Sequence, residues 1–352
     1  MSIVMTGGGT GGHLAIVRAV KEELVNEERA AVDHRPSTIG HPPLIYIGST
    51  QGQDRAWFGE DEDFVARYFL ETKGVVNQRG LGKLGSLWMM FKAFTQARRL
   101  LKQHQAKVVF SVGGFSAAPT AFAAKSLGIP LVIHEQNAAL GSLNKLLKPV
   151  ADHFISSYLP ESPVRAYPIK QIFFETARIR ERVRTVIFLG GSQGAQAINA
   201  LALELAPTLE ERGIRIIHQA GERNIDATKA AYEALGIEAE VFGFTTRLAE
   251  YMAQADFAVA RAGASTLWEL SANALPTLYI PYPYAASDHQ YHNAQFLVQK
   301  DLAWLMREGE IDTQKIIALL DEDMSQRSRG LMETIEPGGA RQIAEMLEGV
   351  GR

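Results

Sequence analysis

Cysteine is absent from all 352 residues. That removes disulfides, thiolate nucleophiles and cysteine-based metal sites, and it fits a reducing compartment. Long apolar runs are missing as well. No stretch approaches the ~20 residues of a membrane-spanning helix, although 46% of the residues are hydrophobic. Charge of one sign is in short supply: the formal net charge is −3, so composition gives no reason to expect nucleic acid as a partner. Neither low-complexity segments nor short-period repeats occur. What remains is a globular chain too long for one compact core, which suggests two α/β domains.

The chain is organised around its first thirteen residues. Ile3-Val4-Met5 reads as a short strand with no room before it for a signal peptide, and Gly7-Gly8-Gly9-Thr10-Gly11-Gly12-His13 follows. Leu14, Val17, Val20 and Leu24 then recur at helical spacing. A strand, Gly-turn and helix bring unpaired N–H groups and the positive end of a helix dipole to one spot, which suits phosphate. Such turns also serve close packing alone, but His13 adds a titratable group at the mouth of this one. The device returns at Val108–Val112 with Gly113-Gly114-Phe115-Ser116. It returns again at Val186–Leu189 with Gly190-Gly191-Ser192-Gln193-Gly194-Ala195 and a helix through Ile198 and Leu201.

Further strands are expected at Leu44–Gly48, Tyr68–Leu70, Leu131–His134, Phe154–Ile155, Ile214–His218, Val241–Phe242, Phe257–Ala260 and Leu278–Ile280. Ala30–Pro43 reads as a polar surface loop. Pro160, Pro163 and Pro168 cluster shortly before the charged run Arg178–Arg184, and the run reads as a solvated surface. These features divide the chain into a first domain, 1–162, and a second, 163–337. A terminal helix over 338–352, with Ile343, Met346 and Leu347 at helical spacing, is expected to pack back on the body. Alternating strands and helices in each half predict an α/β fold of two doubly wound sheets.

One helical stretch has two readings. From Leu84 to Gln103 the apolar residues, Trp88 and Phe91 among them, cover more than one face, and Lys83, Lys92, Arg98, Arg99 and Lys102 lie in or beside it. It is either a core-packed helix with solvated cations or a helix lying on an anionic membrane surface. The acidic triplets Asp61-Glu62-Asp63 and Asp321-Glu322-Asp323 resemble metal sites, but each sits in a charged context.

The most informative stretch runs from Asp256 to Glu269: a strand, a small-residue turn at Arg261-Ala262-Gly263-Ala264-Ser265-Thr266, and a helix whose first turn is expected to carry a carboxylate. A diphosphate would favour that helix start, at Ala264 and Thr266. Glu269 can accept two hydrogen bonds from a cis-diol such as a ribose presents, or it is merely a charge placed well on a helix dipole. Gln290, in Asp288-His289-Gln290, offers a donor and an acceptor to sugar hydroxyls. His134-Glu135-Gln136-Asn137 ends a strand where parallel sheets present ligand-facing groups, though Asn137 can also be read as a helix cap.

Together these residues resemble the MurG family of UDP-N-acetylglucosamine-dependent transferases. The motifs are Gly8–His13, Val112–Phe115, His134–Asn137, Gly190–Ala195, Arg261–Ala264 with Glu269, and Asp288–Gln290 with Asn293. The resemblance covers nearly the whole chain. It implies a GT-B architecture, with two Rossmann-like domains facing a cleft, and inverting transfer of N-acetylglucosamine from UDP to lipid I, giving lipid II. It further implies a peripheral enzyme on the cytoplasmic face of the inner membrane.

Residue by residue, the resemblance places Thr10, Gly11 and Gly12 at the first turn of the site. Asn137 and Gln290 fall at sugar-contacting amides, Ser192 in the diphosphate loop, Glu269 on the ribose, and Phe244 where backbone groups hold uracil. His13 is expected to be the catalytic base, with Glu135 as its rival and an acceptor-orienting role as the bland alternative for His13. Two departures stand out. Phe115 replaces the Tyr of some members, and Tyr167-Pro168-Ile169-Lys170 stands at the junction in place of Asn-Pro-Val-Arg, with Arg165 out of register. Helix N-termini and Gly-turn amides can stabilise a departing UDP without a metal, so no cofactor is expected. A dinucleotide-dependent oxidoreductase is the main competitor. Gly7, Gly9 and Gly12 fit its fingerprint, but the next strand leads to Gly48-Ser49 and not to an acid. A non-catalytic nucleotide-sugar-binding partner is the third reading.

Overall fold

The computed structural model describes residues 2–34, 42–72, 81–191 and 194–351. They form two compact units, one of Met1–Ile169 with Gly338–Arg352 and the other of Lys170–Pro337. The proline cluster puts the junction at 162/163; the compact units divide at 169/170.

The first unit holds a six-stranded sheet of β1 (Ser2–Thr6), β2 (Leu44–Ser49), β3 (Ala66–Leu70), β4 (Ala106–Ser111), β5 (Leu131–His134) and β6 (His153–Ile155). Its order is β3-β2-β1-β4-β5-β6, with every pair parallel. Helices cover both faces, which is why the strands are apolar runs and not alternating patterns. On one side Val4, Ile45, Val109, Leu131 and Ile133 pack with Ala93, Ala97, Leu101, Ala121 and Ala124. The helix Gly339–Gly351 lies against the helix Gly11–His34 and against β1 and β4. Its start requires glycine: a Cβ on Gly339 would collide with the carbonyl of Ala166.

The expected loop Ala30–Pro43 needs correction. The first helix continues through Ala30 to His34, and residues 35–41 lie outside the described residues.

The second unit repeats the plan with β7 (Thr185–Leu189), β8 (Arg215–Gln219), β9 (Ala239–Phe242), β10 (Phe257–Ala260), β11 (Thr277–Tyr279) and β12 (Trp304–Leu305). The order is β12-β11-β10-β7-β8-β9, again all parallel. Counted from its own first strand, this is the arrangement of the first sheet.

In each sheet the strand order reverses between the first and fourth strands, and ligands of doubly wound folds bind beyond the carboxyl ends at such a reversal. The Gly-turns after β1, β4 and β7 and the small-residue turn after β10 sit at those four strand ends. The spacing of the motifs therefore follows from topology.

The helix Leu81–Gln103 packs one side into the core and leaves aromatic side chains exposed on another. Ala93, Ala97 and Leu101 are buried, whereas Leu87, Trp88 and Phe91 are 49%, 67% and 55% exposed. Trp88 stacks on Phe91, with centroids 5.9 Å apart, and Phe91 on Phe94 at 6.4 Å. Lys92, Arg99 and Lys102 are exposed beside them; the side chain of Lys83 lies outside the described residues. No helix among the described residues is long and apolar enough to cross a membrane.

The basic run Arg178–Arg184 is not simply solvated. Arg180 is fully buried. Its guanidinium donates to the carbonyls of Arg178 (2.7 Å), Ala255 (3.2 Å), Met252 (3.0 Å) and Asn273, and to Asn273 Oδ1 (2.5 Å).

Candidate active site

In the first unit, the turn after β1 is built on a carboxylate that sequence reasoning missed. Asp54 is fully buried. It accepts the Gly9 N–H at 2.7 Å and the Ser49 N–H at 3.1 Å, and the Tyr46 hydroxyl lies 2.9 Å from it. Burial and the Asp54 charge push the Tyr46 phenol well up. The Gly9 N–H is thus committed to the protein, so this turn is not the open ring of amides that its glycines suggest. Its chemistry lies one residue on, at the helix start.

There Thr10 Oγ1 lies 2.9 Å from His13 Nδ1, and Gln136 Nε2 lies 3.1 Å from His13 Nε2 and 3.4 Å from Nδ1. The ends of β1 and β5 are thereby brought together, with Gly11 and Gly12 beside His13 and with Asn137 following Gln136. Gln136 was not singled out from the sequence. Its place between two flagged residues in His134–Asn137 was the only signal. Its Oε1 is buried without a hydrogen-bond partner.

Glu135 is 2% exposed. Its Oε1 accepts the Asn137 N–H at 3.0 Å, and its Oε2 accepts the Gly141 N–H at 2.8 Å and Asn144 Nδ2 at 3.0 Å. This carboxylate braces the loop that leads into the next helix. That helix, Ser142–Leu147, is capped at Gly141, so Asn137 is not its cap. His134 lies fully buried beneath, edge-on to Tyr167 with centroids 5.5 Å apart. Burial and then the nearby His13 charge push its pKa down to about 3, so His134 stays neutral.

In the second unit, the turn after β7 leads into the helix Gln196–Glu211. Ser192, assigned to this turn, lies outside the described residues, as does Gln193. The turn after β10 is held from beneath. Arg261 donates to the carbonyls of Ile280 and Pro281, each at 3.1 Å, and pairs with Glu308 at 2.6 Å. Asn293 Nδ2 donates to the Ala262 carbonyl at 3.2 Å. The helix Ala264–Ala272 starts from this anchored turn, with Ala264 and Thr266 in its first turn; Glu269 falls in its second turn and not, as its sequence suggested, in the first, because the helix begins at Ala264.

Glu269 is partly buried, and burial pushes its pKa up to about 7, against the opposing charge of Lys170. The junction cation that acts on Glu269 is therefore Lys170, while Arg165 is exposed in the other unit. Gln290 Oε1 accepts the Tyr282 N–H at 2.9 Å, which leaves its amide nitrogen as the group to offer. The Phe244 N–H already donates to Glu222 Oε1 at 2.6 Å, so a base bound there has to displace that carboxylate.

The acidic triplets have other partners. Lys21 holds Asp61 at 2.7 Å and Asp63 at 2.6 Å. Asp321 pairs with Arg212 at 2.9 Å, and Asp323 accepts from Ser325 at 2.9 Å. Among the described residues no group of three or more His, Asp or Glu is placed to hold a metal ion.

Comparison with known proteins matches the glycosyltransferase family 28 N-terminal domain to residues 3–156 and the family's C-terminal domain to residues 185–347. The chain belongs to glycosyltransferase family 28. Among relatives of this family, a protein of a Sulfurovum species is 70% identical over 348 residues, 99% of this chain and 98% of that one. One of Wolinella succinogenes is 51% identical, covering 99% of each chain. Both are named UDP-N-acetylglucosamine–N-acetylmuramyl-(pentapeptide) pyrophosphoryl-undecaprenol N-acetylglucosamine transferase. The crystal structure of Acinetobacter baumannii MurG has 25% identity and a TM-score of 0.78, covering 99% of both chains. Family 28 membership and that likeness make the two Rossmann-like sheets a GT-B fold.

Proposed function

We propose that this glycosyltransferase moves N-acetylglucosamine from UDP-N-acetylglucosamine to lipid I, the undecaprenyl-pyrophosphoryl N-acetylmuramyl pentapeptide, giving the lipid II of peptidoglycan synthesis. The observation that carries the reading is the 70% identity over nearly the whole chain to a relative of that name. Chemical groups suited to the reaction stand at the strand ends where the sheet order reverses.

Glu269 takes the ribose diol, the Gln290 amide nitrogen a sugar hydroxyl, and the backbone at Phe244 the base. The helix starts after β7 and β10, the second with Ala264 and Thr266, receive the diphosphate and stabilise charge on the leaving UDP, and Ser192 is assigned to the same group. Thr10, Gly11, Gly12 and Asn137 contact the acceptor. The acceptor hydroxyl oxygen attacks the anomeric carbon as the bond to the UDP oxygen breaks, and His13 takes the hydroxyl proton. Thr10 and Gln136 orient its ring. Glu135 is the weaker candidate because both of its oxygens already brace the loop. The enzyme works as a peripheral protein on the cytoplasmic face of an anionic inner membrane, where its acceptor is anchored.

Transfer from labelled UDP-N-acetylglucosamine to a lipid I analogue, followed against pH, tests both levels. Absence of product from the parent enzyme would sink the activity. Loss of His13 in His13→Ala should cost on the order of 10²–10⁴ in kcat and abolish the acidic limb of the profile. If that limb survives in His13→Ala and vanishes in Glu135→Gln, Glu135 is the base.

A further inference from the structure

The turn after β7 stands on a hydrogen-bonded chain that ends in the buried side chain of a tyrosine. Its direction can be read from one end. The Ala220 carbonyl can only accept, so the Asn199 atom 3.1 Å away is Nδ2. Asn199 Oδ1 then faces His218 Nε2 at 3.0 Å, and that nitrogen must carry the proton. His218 Nδ1 is left as an acceptor, and the Tyr232 hydroxyl, 3.0 Å away, donates to it. Burial pushes His218 down to about 4 and Tyr232 up, so the imidazole and phenol both stay neutral near pH 7.

The Ala220 peptide is the floor of the turn. Gly194, at φ +78°, sits so close that a Cβ there would lie 2.5 Å from the Ala220 oxygen. Gly194 N–H donates to Gly191 O at 2.9 Å and closes the turn, while Gly190 N–H donates to Gln219 O at 3.3 Å. The Ala220 carbonyl also accepts Asn224 Nδ2 at 3.2 Å. A shift of that carbonyl would therefore move the turn. Asn199, in the first turns of the helix Gln196–Glu211, ties it to the start of the same helix.

We propose that Tyr232, His218 and Asn199 are positioning residues: a one-directional relay that fixes the Ala220 carbonyl and thereby holds Gly194 and the start of the helix Gln196–Glu211 in place for the donor diphosphate. The inference rests on the reading that this turn receives the diphosphate.

The test compares the affinities of UDP and uridine for the full chain. Asn199→Leu and Tyr232→Phe, neutral and nearly isosteric, should each weaken UDP roughly five- to tenfold, the worth of about one hydrogen bond, with uridine unchanged. The KM for UDP-N-acetylglucosamine should rise by a similar factor with the acceptor's KM unaffected. Nitrogen-15 spectra of histidine-labelled protein should show His218 protonated on Nε2 in the parent and in Tyr232→Phe, and a mixture of tautomers in Asn199→Leu, which loses the acceptor facing Nε2. Gly191→Ala, at φ +80° on the turn itself, separates the two levels. If it weakens UDP selectively while the relay variants do not, the positioning role is overturned and the diphosphate reading stands. If none of the three alters the UDP-to-uridine ratio, the diphosphate reading falls and takes the relay's role with it. Equal loss of UDP and uridine in the relay variants would mark them as merely structural and overturn the proposal.

Discussion

Glu269 is the residue whose environment departs most from what its place in the chain suggests. A carboxylate on a helix near the N-terminus is an ordinary dipole partner, yet burial lifts this one to about 7 from 4.5. A carboxyl whose folded-state pKa exceeds its unfolded value takes up a proton on folding. Its contribution to stability is complete below about 4.5 and is lost as pH rises through about 7. Glu269→Gln should therefore melt above the parent at pH 8, with the gap narrowing toward pH 5. A gap that does not change with pH would mean that the carboxyl titrates normally. Sequence pattern singled out Glu269, His13 and Asn137 because each follows a Gly-rich or polar strand end. It did not find Asp54 or Gln136. Asp54 lies 45 residues from the Gly9 amide it holds, and Gln136 acts across 123 residues on His13. Neither partnership leaves a local periodicity.

Among elements, the strap from Lys170 into β7 shows where a composition rule fails. Five of the seven residues from Arg178 to Arg184 are charged, and solvent exposure was the natural expectation. Arg180 instead closes off carbonyls at the ends of two helices, Leu248–Gln254 and Ala264–Ala272, the second of which carries Glu269. Helix C-termini leave carbonyls unsatisfied, and a guanidinium with five donors can serve several at once. Arg180→Met should destabilise the second unit by about 3 kcal/mol or more, because the buried acceptors it leaves each cost ~1–3 kcal/mol. Thermal unfolding followed by a probe in that unit measures this, and a loss below ~1 kcal/mol would show that water replaces the guanidinium at little cost. The longer strands were legible from their apolar runs. β12, only Trp304–Leu305, was not, since two residues carry no pattern and its place depends on β11 being there to pair with.

At the scale of the molecule, the repeated strand order explains why the motifs come in the order they do; alternation alone led to the two doubly wound sheets but not to the order of their strands. The proposed attachment to a membrane is assigned to one face of the first unit. Leu87, Trp88 and Phe91 are exposed beside Lys92 and Arg99, and Phe122 on the helix Ala118–Ser126, which packs against the same helix, is 40% exposed. Exposed apolar side chains beside cations suit an anionic lipid surface. The Trp88→Ser, Phe91→Ser double variant should lose binding to anionic vesicles while melting as the parent does, because neither ring is buried. Lys92→Glu with Arg99→Glu should weaken binding most at low salt. Retention of vesicle binding by both double variants would place the contact elsewhere.

The return of the helix Gly339–Gly351 to β1 and β4 has a consequence for synthesis on the ribosome. The second unit, Lys170–Pro337, is inserted within the first, so all of it emerges before the last helix of the first unit does. Translation runs at ≈ 5–20 residues per second, so the nascent β1–β6 sheet waits roughly ten to forty seconds with the groove for that helix uncovered. During that interval Ile343, Ala344 and Leu347, all fully buried in the finished protein, have not yet reached the sheet they will cover. The nascent first unit is therefore the species most exposed to chaperones and to mispairing.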